Sequence, residues 1–132
     1  NVVGFPDVDS HLLAEASHLR AQIAIKCERP RSALPPLAVA LRLFPDNGHF
    51  QNTLGTLQLM LGKGQDAHEA LERACRLLPN QAAPCLNLGA LFEAAGKPEL
   101  AAAHYAEALR RDPANERAVA GVKKTTLVPV TA

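Results

Sequence analysis

Apolar residues recur along this chain at one fixed interval, and that interval predicts its elements. Pro45, Pro79 and Pro113 stand 34 residues apart, each closing an Ala/Leu-rich stretch. Five residues before each proline lies Ala40, Ala74 or Ala108; eight before lies Leu37, Leu71 or Tyr105; twelve before lies Ala33, Ala67 or Ala101. Leu54-Gly55 and Leu88-Gly89 share another offset, and Gly62 and Gly96 a third. A period of about 20 to 50 residues marks a stacked array of small structural units. Where two helices cross, only a small side chain lets their backbones approach. Gly55, Gly89, Ala67 and Ala101 supply one, while Leu54, Leu71, Leu88, Phe92 and Tyr105 fill the spaces between.

The pattern predicts helices near 11–27, 33–44, 48–61, 65–78, 82–95 and 98–111. Asp9 or Ser10 is the expected first N-cap. Gly62 and Gly96 stand where a helix C-terminus needs a residue tolerant of positive φ, and each recurring proline ends a second helix because it lacks the next donor. Second helices run acid-first and base-last (Asp66, Glu69, Glu72, then Arg73, Arg76), the order that complements the helix dipole. Pro35-Pro36 conflicts with this scheme. With Ser32 as N-cap both prolines would fall in a first turn, which should then be distorted. A last helix over 116–125, with Val119 and Val122 on one side, reads as a cap on the array.

These offsets resemble the tetratricopeptide repeat, a helix-turn-helix unit with the pattern Trp-x2-Leu-Gly-x2-Tyr, then Ala-x3-Phe-x2-Ala, then Pro. The third copy, 82–115, matches through Leu88, Gly89, Phe92, Gly96, Ala101, Tyr105, Ala108 and Pro113. The second, 48–81, keeps Leu54, Gly55, Gly62, Ala67, Leu71, Ala74 and Pro79 but has Gln58 where an aromatic is usual. The first, 14–47, keeps Ala21, Ala33, Leu37, Ala40 and Pro45, with Arg20 in place of the leucine. The resemblance implies an all-α, right-handed superhelical array of helical hairpins. It would occupy residues 11–126, after a lead-in over 1–10 and before a tail over 127–132.

Composition narrows the function. The 132 residues are 48% hydrophobic with a formal charge of +1, enough apolar surface for one extended core. The near-neutral balance argues against a nucleic-acid or anionic-membrane binder, and no apolar run is long enough for membrane insertion. The opening at Asn1 without methionine reads as an excerpt of a longer chain. Cys27, Cys75 and Cys85 are irregularly spaced with no Cys-x-x-Cys pair, so they read as small buried hydrophobes in a reducing, cytoplasmic compartment. Cys75 and Cys85, near the end of one helix and the start of the next, are candidate neighbours for a regulatory disulfide.

Catalytic signatures are absent from the sequence. The five histidines form no His-Glu-x-x-His, and His18 with His49 lacks a carboxylate third ligand for a metal. Gly62-Lys63-Gly64 lacks the first glycine and the hydroxyl of a phosphate loop, and no serine sits in a Gly-x-Ser-x-Gly elbow. The expectation is a non-enzyme without cofactors.

In tetratricopeptide arrays the first helix of each unit lines the inner face. The inward positions of the pattern fall here on Glu15, His18, Leu19, Gln22, Ile25 and Lys26; on His49, Asn52, Thr53, Thr56, Leu59 and Met60; and on Ala83, Leu86, Asn87, Ala90, Glu93 and Ala94. The partner-binding set within them is His18, Gln22, Lys26, His49, Asn52, Thr53, Thr56, Met60, Leu86, Asn87, Ala90 and Glu93. Amides and hydroxyls beside Met60 and Leu86 suit a peptide backbone with apolar side chains. The clamp by which some family members hold a chaperone's C-terminal carboxylate needs lysine, asparagine and arginine at set positions. Those positions carry His18, Gln22, Thr53, Ala83 and Asn87, with almost no positive charge. The expectation is a protein-interaction module for a partner peptide. A regulatory arm of an enzyme such as a transferase, or a self-assembly element docking through exposed Leu12, Leu13 and Leu19, are the alternatives.

Overall fold

The computed structural model describes residues 7–126, and the helices it contains form three antiparallel hairpins and a final single helix. The hairpins are α1 (Val8–Lys26) with α2 (Pro30–Leu43), α3 (Gly48–Met60) with α4 (Gly64–Leu77), and α5 (Ala83–Ala94) with α6 (Pro98–Arg111). The last helix, α7 (Glu116–Thr126), packs on α6 and α5. First helices also touch each other, α1 with α3 and α3 with α5, so the array is a solenoid with one face built from first helices.

The 34-residue period is visible in the backbone itself. Each second helix ends on an N–H to C=O bond from Phe44 to Ala40, Leu78 to Ala74 or Asp112 to Ala108, and the next residue is the recurring proline. The turn inside each hairpin repeats too. Gly62 and Gly96 have φ of 76° and 73°, and Lys63 and Lys97 donate back to the Gln58 and Phe92 carbonyls at 2.8 and 2.9 Å. Glu28 occupies the same offset in the first hairpin at φ 58°, followed by Arg29 donating to the Ala24 carbonyl at 2.8 Å. A glutamate is therefore held where the other two turns have glycine.

Two helix starts differ from expectation. Asp7, not Asp9 or Ser10, caps α1, accepting from the Ser10 N–H at 2.8 Å. Ser32 is not the cap of α2, because that helix starts at Pro30, the offset held by Gly64 and Pro98 in the other units. Pro35 and Pro36 thus lie inside the helix. They remove the donors for the Arg31 and Ser32 carbonyls, and both of those residues are exposed, so water can bond them.

Core positions follow the repeat. Ala33, Ala67 and Ala101, Leu37, Leu71 and Tyr105, and Ala40, Ala74 and Ala108 are all buried. The crossings are tight. A Cβ on Gly55 would lie 2.5 Å from Leu71 Cδ2, and one on Gly89 would lie 2.6 Å from Tyr105 Cε1. A Cβ on Gly121 of α7 would lie 2.5 Å from Cδ1 of the same ring, so two glycines from different helices make room for Tyr105. Gln58, standing where the third unit has Phe92, keeps its Oε1 buried without a protein partner.

Candidate peptide-binding face

The inner face is crossed by two polar rungs. His18 Nε2 on α1 is 2.6 Å from Thr53 Oγ1 on α3. Asn87 Nδ2 on α5 donates to Asn52 Oδ1 at 2.8 Å and Thr56 Oγ1 at 3.3 Å, both on α3. The threonines are satisfied in both directions: Thr53 and Thr56 each donate to their own helix, at the His49 and Asn52 carbonyls, 3.1 Å away. With the Thr53 proton so directed, His18 donates to Thr53 Oγ1 through Nε2–H. Burial pushes its pKa below the ordinary histidine value, which the nearby Glu15 carboxylate only partly opposes. The ring also lies against Phe50, centroids 4.7 Å apart.

Both rungs join residues 35 apart. Position five of one unit (His18, Asn52) bonds position six of the next (Thr53, Asn87), while Leu19, which no described helix precedes in that register, and Leu86, whose counterpart 35 residues on is Gly121 of α7, are apolar. The signal was present in the sequence, as a polar pair offset by one period plus one residue.

The sequence-derived residues divide by burial. Gln22, Lys26, His49 and Met60 are exposed, and Asn52, Thr56, Asn87, Ala90 and Glu93 are half-buried. His18 and Thr53 are buried and taken up by each other. Leu86 does not form an accessible apolar floor: it is 3% exposed and packs with Cys85, Tyr105 and Ala108 in the core of the third unit. Glu93 accepts from Tyr105 Oη at 2.5 Å and pairs with Lys124 Nζ of α7 at 2.7 Å. Lys124 first, and Tyr105 second, hold its carboxyl below the usual glutamate range. Its role in this structure is to fasten the cap.

Among the described residues no three His, Cys, Asp or Glu side chains converge as metal ligands, and no helix is long and apolar enough to cross a membrane.

Solved structures share this architecture. The TPR domain of Arabidopsis OM64 superposes with a TM-score of 0.82 at 20% identity, covering 89% of this chain and 97% of that one. The first TPR of Spaghetti (RPAP3), bound to an HSP90 peptide, gives 0.79 at 19% identity, covering 87% and 91%. An O-GlcNAc transferase of Thermobaculum terrenum gives 0.84 at 25% identity; 91% of this chain matches only 23% of that protein. No protein-family model matches the chain, and no curated protein is similar enough to count as a relative. The fold reached from the 34-residue period is therefore that of a tetratricopeptide-repeat array, three hairpins closed by a capping helix.

Proposed function

We propose that the face built by α1, α3 and α5 binds a partner peptide or protein segment without chemistry. The Asn52–Asn87 pair carries this reading. With Asn87 Nδ2 bonded to Asn52 Oδ1 and Thr56, the Asn52 amino group and the Asn87 carbonyl have no protein partner among the described residues. One donor and one acceptor stand side by side, already held in place, which is the pairing an extended backbone requires. Fixing them beforehand lowers the ordering cost of binding. Exposed Met60 offers the neighbouring apolar contact. The peptide complex of the Spaghetti repeat supports the same use of this fold, although the clamp charges are missing here.

The test is selection of binders from a random peptide library, followed by titration of the best binder against the Asn52→Ala, Asn87→Ala double variant. Each lost desolvated hydrogen bond should cost about 1–2 kcal/mol of binding. Equal affinity in the double variant would move the site off this face. The rung also ties two units, so Asn87→Ala should itself lower stability by about 1 kcal/mol.

Self-association through the first unit is a second reading, favoured by one observation. Val8, Leu12, Leu19 and Ile23 are all more than half exposed along one stripe of α1. Leu19 and Ile23 share offsets with Thr53 and Leu57, which are buried against the preceding unit. Sedimentation across a concentration series, with Leu19→Lys as control, tests it. A regulatory arm of a larger enzyme is supported by the transferase likeness alone, which covers 23% of that protein.

A further inference from the structure

Cys75 on α4 and Cys85 on α5 face each other across the boundary between the second and third units, with Sγ atoms 3.4 Å apart. Both are free thiols; Cys85 is fully buried and Cys75 half-buried. They lie at the wall of a cleft of about 310 Å³ that is also lined by Arg76, His104, Glu107 and Arg111. Arg111 is fixed there. Its Nε is 2.9 Å from Glu107 Oε2, and its Nη1 reaches the carbonyls of Cys75, Leu78 and Gln81 at 3.4, 3.2 and 3.2 Å. A stationary cation beside two touching sulfurs favours a single thiolate charge on the pair. The S–H bond within the pair lowers the pKa of Cys85, with Arg111 assisting and burial and Glu107 opposing, and raises that of Cys75. The shared proton can cross the 3.4 Å contact to Cys85, and Cys75, the less buried sulfur at the cleft wall, is the one a small disulfide can reach.

We propose that Cys75 and Cys85 form a reversible dithiol–disulfide site that reacts with low-molecular-weight disulfides entering this cleft. The Cys75 thiolate attacks one sulfur of R–S–S–R, breaking that bond, and the departing R–S⁻ takes up a proton to leave as R–SH. Cys85 then loses its proton and attacks Cys75 Sγ in the mixed disulfide, releasing the second R–S⁻. The second R–S⁻ is also protonated; counted from the dithiol, ionisation of Cys75 and then of Cys85 releases two protons, the protein loses two electrons, and the small disulfide takes up both as two thiols. The sulfurs must close from 3.4 Å to about 2.05 Å. The bridge would lock α4 to α5 and hence the third unit to the second. None of this depends on what the inner face binds.

Cleavage after Arg73 and Arg76 separates the two cysteines, so a bridge appears as two linked peptides. The reduced chain is incubated with oxidised glutathione, quenched with acid, alkylated, digested with trypsin and mass-mapped. The expected result is a Cys75–Cys85 linked peptide as the main product, glutathione on exposed Cys27, reversal by dithiothreitol, and a rise in Tm of several degrees for the bridged form. In Cys85→Ser glutathione should accumulate on Cys75, and in Cys75→Ser buried Cys85 should stay unmodified. Stable glutathione on Cys75 in the unmutated chain, or modification of Cys27 alone, would overturn the proposal.

Discussion

The two ends of the array are built on one backbone plan from sequences of different quality. At the C-terminal end Gly89 and Gly121 make room for Tyr105, its hydroxyl bonds Glu93, and Lys124 of α7 holds the same carboxylate. The exposed residues of α7 include Glu116, Arg117, Lys123 and Lys124, so this end meets water with charge. At the N-terminal end Glu28 sits in a left-handed turn, two prolines lie inside α2 and remove two of its donors, and α1 exposes Val8, Leu12, Leu19 and Ile23. The difference teaches that the period sets where the chain goes, while residue identity at the repeated offsets sets how firmly it is held there. A finished end needs a helix that is apolar inward and polar outward, and only α7 is one.

The sharpest break of this comparison uses one offset in two units. Leu57 is fully buried, so Leu57→Ala should cost about 2–5 kcal/mol in urea denaturation. Ile23, 34 residues earlier and 53% exposed, should lose no more than about 0.5 kcal/mol on the same change. Similar costs would mean that something covers α1.

Gly89→Val should cost about 1–3 kcal/mol because the new side chain enters the Tyr105 ring. Gly96→Val is the matched control, with open space around it but a φ of 73°; its loss measures the strain of the turn alone. If Gly89→Val were the milder of the two, Tyr105 would be free to move aside.

Glu28→Gly should stabilise the chain by about 1 kcal/mol, since the left-handed conformation penalises a side chain and not glycine. A calorimetric Tm unchanged or lowered would mean that the first turn does not hold that conformation in solution.

The smallest effect is a pH dependence. Burial lowers the His18 pKa below its ordinary 6.5, so as pH falls the unfolded chain takes up that proton before the folded one does. The contribution of neutral His18 to stability is present above about pH 6.5 and is lost below it, until the folded pKa is reached. His104 is displaced in the same direction by burial. His18→Gln should flatten the part of the stability-against-pH curve that His18 supplies, while a slope identical to the unmutated chain would place the whole effect on other groups.

Much of this protein is legible in one dimension. The prolines at 45, 79 and 113, the glycines at 62 and 96 and the small residues at the crossings act through local backbone sterics and helix contacts within one unit, so spacing alone located them. The identity of Pro30 with Gly64 and Pro98 was equally readable, but Ser32 offered a plausible cap and obscured it. What no local rule carries is how one unit turns against the next. That rotation sets position five of a unit against position six of its neighbour, uniting His18 with Thr53 and Asn52 with Asn87, and it takes Leu86 into the core. It also fastens Glu93 to Lys124 and brings Cys75 within 3.4 Å of Cys85. The sequence determined the repeat because helix ends and crossings depend on neighbours along the chain. The tertiary structure alone decided which polar groups remain free, because a hydrogen bond between units depends on their packing angle.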